Sequence, residues 1–272
     1  MNLPPELQQA VDEAATATTL TKKAARRAIG LLDLTSLEDA DTDGTIQALC
    51  RRAVTPAGPV AAVCVWPRFV RTARKALKGS GVRIATVVNF PGGEGTAASV
   101  AEETAAAVAD GADEIDMVFP YRAFIDGART LPKGVMHACR EACGDKITMK
   151  VILESGQFPD PDLLSWAARD AIAAGADFLK TSTGKTKPAA TLPAAALLLH
   201  AIADAGRPVG FKAAGGIRDA ATAAGYLALA ERIMGPDWAS PKTFRFGASA
   251  LLDSLLAAAE GGSGKGSKDA GY

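Results

Sequence analysis

The chain has 272 residues, 48% of them hydrophobic, enough to bury a substantial core in one domain and of the length that α/β barrels use. Lysine plus arginine and aspartate plus glutamate balance at 30 each, so no global field draws the chain to nucleic acid or to an anionic membrane. No apolar run reaches the roughly 18 residues of a membrane helix and the N-terminal stretch lacks a signal-peptide core, so a soluble protein is expected.

Residues 1–30 are Ala-rich and polar, with Pro4 and Pro5 placed to start a helix and Lys22, Lys23, Arg26 and Arg27 near a later helical end. They are expected to form an N-terminal extension of one or two helices. Beyond them two textures alternate: short apolar, β-branched runs and longer Ala-rich stretches with helical spacing, the pattern of βα units around a parallel sheet. The runs are Leu31 to Thr35, Ala61 to Trp66, Arg83 to Phe90, Glu114 to Phe119, Thr148 to Glu154, Phe178 to Thr181, Val209 to Lys212 and Phe244 to Gly247. Helix candidates lie between and after them, near 42–54, 68–78, 96–110, 132–143, 160–174, 192–204, 218–232 and 248–259. Eight strands alternating with eight helices predict an α/β fold, a single (β/α)8 TIM barrel over residues 31–259, with an open doubly wound sheet as the alternative. Residues 260–272 have the composition of a flexible tail.

Cys50, Cys64, Cys139 and Cys143 show no CxxC spacing, and His137 and His200 are the only histidines beside them, so neither a metal site nor a cofactor is expected. Reduced thiols and a cytoplasmic setting are the default.

Several predicted strands carry polar residues where a structural barrel would have Val, Ile or Leu. Asp33 and Thr35 share one face of the first; Cys64, Asp116, Lys150 with Glu154, Lys180 and Lys212 fall on others. Each alone reads as a rim charge or a satisfied ion pair. Together they predict a polar cavity at the top of the barrel, where active sites of this fold are built. An internal echo aligns two of them: AVADGADEIDMVF and AIAAGADFLKTST share a helix end, a Gly-Ala-Asp turn and a strand, so Gly111 precedes Asp116 by the interval at which Gly175 precedes Lys180. Burial disfavours a charged amine, and a nearby Lys212 would depress Lys180 further. A neutral amine adds to a carbonyl to form an imine, an electron sink for retro-aldol cleavage, with Asp116 and Lys212 as the proton-handling pair. The plain alternative for Lys180 is a half-exposed strand lysine whose head reaches solvent.

Thr183-Gly184-Lys185 follows the sixth run, Gly215-Gly216 the seventh, and Gly247-Ala248-Ser249 the eighth. Such loops, with a helix N-terminus aimed inward, form a recurrent phosphate cradle of this fold. The Gly-Lys-Thr at 184–186 is not a nucleotide-binding P-loop, because Leu179 stands where the upstream glycine belongs.

With these residues assembled, the chain resembles deoxyribose-phosphate aldolase, the class I aldolase that cleaves 2-deoxyribose 5-phosphate to acetaldehyde and glyceraldehyde 3-phosphate. LLDLTSL, AVCVWPRF, TVVNFP, GADEIDMVFPYRA, KVILESG, GADFLKTSTGK, GFKAAGGIR and FRFGAS carry the resemblance, in order, over nearly everything after residue 30. It implies that Lys180 is the Schiff-base lysine, Lys212 the lysine that tunes it and Asp116 the carboxylate of the proton relay. Asp33, Thr35, Cys64 and Lys150 would line the cavity, with Thr181 a further substrate contact beside the Schiff-base lysine, and Gly184, Lys185, Gly215, Gly216 and Ser249 would hold the phosphate. Two positions depart: Ala213 stands where the family usually has proline, and Ala250 where a second serine is common. Family members often end in a mobile tail whose terminal tyrosine reaches the active site, and this chain ends in Tyr272. The implied partners are phosphosugar and aldehyde substrates, and a homodimer through outer helices is an expectation of the fold. A phosphosugar isomerase without an imine and a catalytically silent binding barrel are the rival readings.

Overall fold

The computed structural model describes residues 3–262. Eight parallel strands, β1 (Leu32–Ser36), β2 (Ala62–Val65), β3 (Arg83–Val88), β4 (Glu114–Val118), β5 (Thr148–Ile152), β6 (Phe178–Lys180), β7 (Gly210–Ala214) and β8 (Phe244–Ala248), each pair with their chain neighbours in one closed barrel. Closure is made at β1, where Leu34 faces Val63 of β2 on one side and Ala248 of β8 on the other. That double pairing rules out the open sheet.

Alternation along each strand sorts the side chains. Leu32, Leu34, Ile115, Met117, Met149, Val151, Leu179, Phe211, Phe244 and Phe246 belong to the main apolar core. The residues between them, Asp33, Asp116, Lys150, Lys180, Lys212 and Arg245, carry charge and are buried too. A second, smaller apolar cluster of Leu37, Ala62, Cys64, Ala85 and Val87 belongs to the β1–β3 side. The strands therefore present an apolar wall at β2 and β3 and a charged one from β4 round through β8 to Asp33 on β1.

Many helices of the outer ring begin at a side chain that satisfies an orphan amide. Thr42, Thr96, Asp160, Thr191 and Asp219 accept from Thr45, Ser99, Asp162, Ala194 and Thr222. The N-terminal extension forms two helices, α1 (Pro5–Ala15) and α2 (Lys22–Ile29). Helix α1 buries Leu7, Ala10, Val11 and Ala14, one stripe at helical spacing, against the helices Leu192–Ala203 and Ala220–Met234, while α2 packs on Leu251–Glu260. The basic residues expected together at a helix end are divided: Lys22 and Lys23 open α2 behind the Thr21 cap, and only Arg26 and Arg27 lie in its last turn.

Other expectations need correction. β5 stops at Ile152, so Glu154 is not on a strand; its backbone is left-handed at φ 53°, which turns the chain out of the sheet. β3 ends at Val88, and β7 runs on to Ala214. A short helix, Tyr121–Ile125, follows β4, and a two-residue ladder joins Val54–Thr55 to Gly58–Pro59; neither has a periodicity long enough to be legible in the sequence. All four cysteines are free and buried, and no described helix is long and apolar enough to cross a membrane.

Candidate active site

Neighbouring strands bring the charged residues into register. Asp116 on β4 lies beside Lys150 on β5, and Lys180 on β6 beside Lys212 on β7. Two adjacent strands then direct two ammonium groups at one carboxylate. Asp116 Oδ2 accepts Lys180 Nζ at 2.9 Å and Lys212 Nζ at 2.7 Å, while Oδ1 accepts Lys150 Nζ at 2.6 Å. The turn shared by the two GAD segments thus ends in an amine and a carboxylate in direct contact.

Further ion pairs extend from this centre. Lys212 also donates to Asp33 Oδ2 at 2.5 Å. Lys150 meets Glu114 Oε2 at 2.6 Å, and Arg245 bridges Glu114, at 2.9 Å, to Asp33. Arg83, half exposed, reaches Glu114 at 2.8 Å. Glu114 and Arg245 are the members that the sequence reading overlooked. Their signal was present: Glu114 lies two residues before Asp116 on the same strand face, and Arg245 stands between two core phenylalanines in FRF.

Burial alone does not distinguish the lysines, since Lys150, Lys180 and Lys212 are all at most 2% exposed. The number of carboxylates each one meets does. For Lys212, desolvation is outweighed by Asp116 and Asp33, and its pKa is held above the ordinary 10.5. Lys150, against Asp116 and Glu114, is likewise raised. Lys180 meets Asp116 alone and has the Lys212 charge nearby, so burial prevails and its pKa is lowered. Asp116 is itself held well below 3.8, because Lys150, Lys180 and Lys212 together overcome the cost of burying it. Within the fully buried part of the network, leaving aside the half-exposed Arg83 on Glu114, the three carboxylates Asp33, Glu114 and Asp116 face Lys150, Lys212 and Arg245. Lys180 is the additional buried amine, and the surplus of cations around it disfavours its protonated form.

Gly247 makes room for this arrangement. A Cβ there would stand 2.9 Å from Lys212 Cε and 2.9 Å from Ala214 Cβ, so any side chain at this position of β8 would displace Lys212 or the strand beside it.

The remaining predicted residues divide by what they touch. Cys64 lies in the apolar wall, its thiol pushed up by burial and by Asp116. The Thr35 hydroxyl donates to the Asp33 carbonyl, and the Thr181 hydroxyl exchanges two 3.0 Å bonds with the backbone of Ala214, so both fasten strand ends. Lys150 has both its position and its charge committed to the interior network. Gly184, Gly215 and Gly216 all have positive φ, and a Cβ on Gly215 would lie 3.4 Å from Gly184 Cα, so the loops after β6 and β7 converge. Lys185 lies near Glu38 of the β1 loop, 3.6 Å away. Ser249 is half-buried at the end of β8, and Ala250, N-cap of the helix Leu251–Glu260, offers no side-chain acceptor to its first amides. That leaves them free of side-chain competition for an anion. Tyr272 lies outside the described residues.

With the lysine pair and its shared carboxylate placed, comparison with known proteins is specific. The sequence model of the DeoC/LacD family aldolases matches residues 27–256. The chain belongs to this aldolase family. Aldolases of this kind are carbon–carbon lyases, and solved structures agree with the assignment. A proposed deoxyribose-phosphate aldolase from Toxoplasma gondii ME49 is 28% identical with a TM-score of 0.81, over 88% of this chain and 95% of that one. One from Coccidioides immitis is 27% identical with a TM-score of 0.76, over 92% and 97% of the two chains. The deoxyribose phosphate aldolase of Aeropyrum pernix, described as a tetramer, shares the fold at 22% identity and a TM-score of 0.73, over 94% and 98%. The aldolase thus retains the barrel over nearly its whole described length.

Proposed function

We propose that this chain is a class I deoxyribose-phosphate aldolase, with Lys180 as the residue that forms the Schiff base. The observation that carries the reading is the difference between two adjacent buried lysines: one meets two carboxylates and has a raised pKa, the other meets one and has a lowered pKa. A site that only balanced charge would have no use for the odd amine.

In this reading the neutral Lys180 amine attacks the C1 aldehyde of open-chain 2-deoxyribose 5-phosphate. Loss of water leaves a protonated imine. A base takes the proton of the C3 hydroxyl, the C2–C3 bond breaks and its electron pair flows into the imine. Glyceraldehyde 3-phosphate leaves with C3 as its aldehyde. The remaining enamine takes a proton at C2 and is hydrolysed to acetaldehyde, which restores Lys180. Asp116, in contact with Lys180 and Lys212 through one oxygen, is positioned to pass protons between the two amines. Gly184, Lys185, Gly215, Gly216 and Ser249 would hold the phosphate, since the two glycine loops converge and the helix that follows β8 starts without a side-chain cap.

Treatment with acetaldehyde and borohydride tests the proposal. A stable adduct is expected on Lys180, mapped by peptide mass spectrometry, and absent in Lys180→Ala. Retro-aldol activity that persists in that variant would show that cleavage does not run through an imine on Lys180 and overturn the assignment.

A further inference from the structure

Glu154 is a buried carboxylate that the reaction above does not use. It is 0% exposed, and its carboxylate is taken up by hydrogen bonds from Thr183. Its backbone is left-handed, at φ 53° and ψ 53°, a conformation unfavourable for a residue with a long side chain. Burial pushes the carboxyl up from 4.5, while bonds from Thr183 oppose that shift. A strained backbone and a buried acid are both costly, so the contacts that the residue makes must offset them.

Those contacts converge on one loop. Glu154 Oε1 and Oε2 each accept the Thr183 amide at 3.3 Å, and Oε2 also accepts the Thr183 hydroxyl. The same hydroxyl oxygen accepts the Lys185 amide at 3.0 Å. The acid therefore holds both ends of the Thr183-Gly184-Lys185 turn through one threonine. The backbone around it follows the same path: Leu153 donates to the Lys180 carbonyl at 2.9 Å and Ser155 to the Thr181 carbonyl at 2.8 Å. Beyond it, Gly156 packs so closely that a Cβ would lie 1.9 Å from the Pro188 carbonyl oxygen, and Gln157 Nε2 donates to the Lys187 carbonyl at 3.0 Å. The β5 loop grips the β6 loop from Lys180 to Pro188.

We infer that Glu154 is a positioning residue for phosphate recognition: through Thr183, whose hydroxyl in turn takes the Lys185 amide, it fixes the Thr183-Gly184-Lys185 turn in the shape that meets the substrate's phosphate. The inference rests on the proposed aldolase reading, because it presumes that this turn meets a phosphate. Glutamine at this position would set an NH2 donor against the Thr183 amide on one side, so the turn would lose one of its two acceptors.

The test compares two substrates in Glu154→Gln: 2-deoxyribose 5-phosphate and unphosphorylated 2-deoxyribose. For the phosphorylated substrate KM should rise roughly tenfold, the loss expected for a disturbed bond to a charged group, with kcat little changed. Both constants for unphosphorylated 2-deoxyribose should match those of the unaltered chain, and borohydride trapping of acetaldehyde at Lys180 should persist. Thr183→Val cuts the same relay from the other end and should show the same split, whereas Thr183→Ser, which keeps the hydroxyl, should restore KM. An equal loss on both substrates would mark a general structural role and overturn the inference, as would an unchanged KM for the phosphorylated one. Failure of the aldolase reading is separate, since the unaltered chain would then give no adduct and cleave neither sugar.

Discussion

Lys180 and Lys212 lie side by side in the sheet and have the same burial, yet their basicities diverge because one has two carboxylate partners and the other one. This makes the effect of Lys212→Leu calculable in sign. The substitution removes a cation that disfavours protonation of Lys180 and leaves Asp116 with fewer competitors for that proton. Both changes raise the pKa of Lys180 and lower its neutral fraction at neutral pH. Turnover should fall, and the pH–rate profile should move to higher pH; an unshifted profile would remove Lys212 from the tuning role. At Arg245 the consequence is one of stability. Replacing it by methionine leaves Asp33 and Glu114 buried with one cation fewer, and breaking buried pairs of this kind costs about 3–5 kcal/mol. Denaturant melts of Arg245→Met should show that loss, whereas a variant as stable as its parent would indicate that Lys150 and Arg83 suffice for Glu114.

Among the elements, β8 positions the site by what it omits. Gly247 lies where a methyl group would come within 2.9 Å of Lys212 Cε. Gly247→Ala should cost about 1–3 kcal/mol of stability by overpacking. It should also lower kcat by tenfold or more, since small displacements at a reacting centre are expensive. Thermal melts and steady-state rates report the two effects separately; full activity in this variant would show that Lys212 has slack. The loops differ in how far they were legible. Gly184, Gly215 and Gly216 stood out in the sequence as a phosphate-type texture, and their positive φ values give the reason for glycine there. Glu154 was misread as a strand residue because its spacing continues the alternation of β5. The strand ends two residues earlier, and the left-handed turn then sends the side chain to Thr183.

For the whole molecule, the interior charge network ties stability to pH. Asp33 and Asp116 both titrate below their ordinary value of 3.8 in the folded chain. Between the folded and unfolded values the unfolded chain binds the extra protons, so stability rises with pH in that window. The stabilisation is fully present above about pH 4 and is lost progressively as acid takes the pH below it. Melting temperatures followed from pH 6 down to about pH 3 should fall most steeply at the acid end; a flat curve there would mean that these carboxylates are not paired in solution. Placement of the eight strands and eight ring helices needed only the change of period from alternating to helical, and the boundaries moved by a few residues. The two N-terminal helices were legible as helices, but which ring helices they pack on was not, because an Ala-rich stripe fits many surfaces.

By itself the sequence determined the barrel, the inward faces of its strands and the prominence of Lys180, Lys212 and Asp116, because strand periodicity is local and charged residues on a buried face stand out. Only the tertiary structure decided how the lysines share the carboxylates. Lys180 lies 64 residues from Asp116, and Lys212 lies 96 from Asp116 and 179 from Asp33. The contact of Lys212 with Asp33 exists because β8 returns to β1 and closes the sheet. Basicity depends on distances across that closed interior, and no local pattern of residues encodes them.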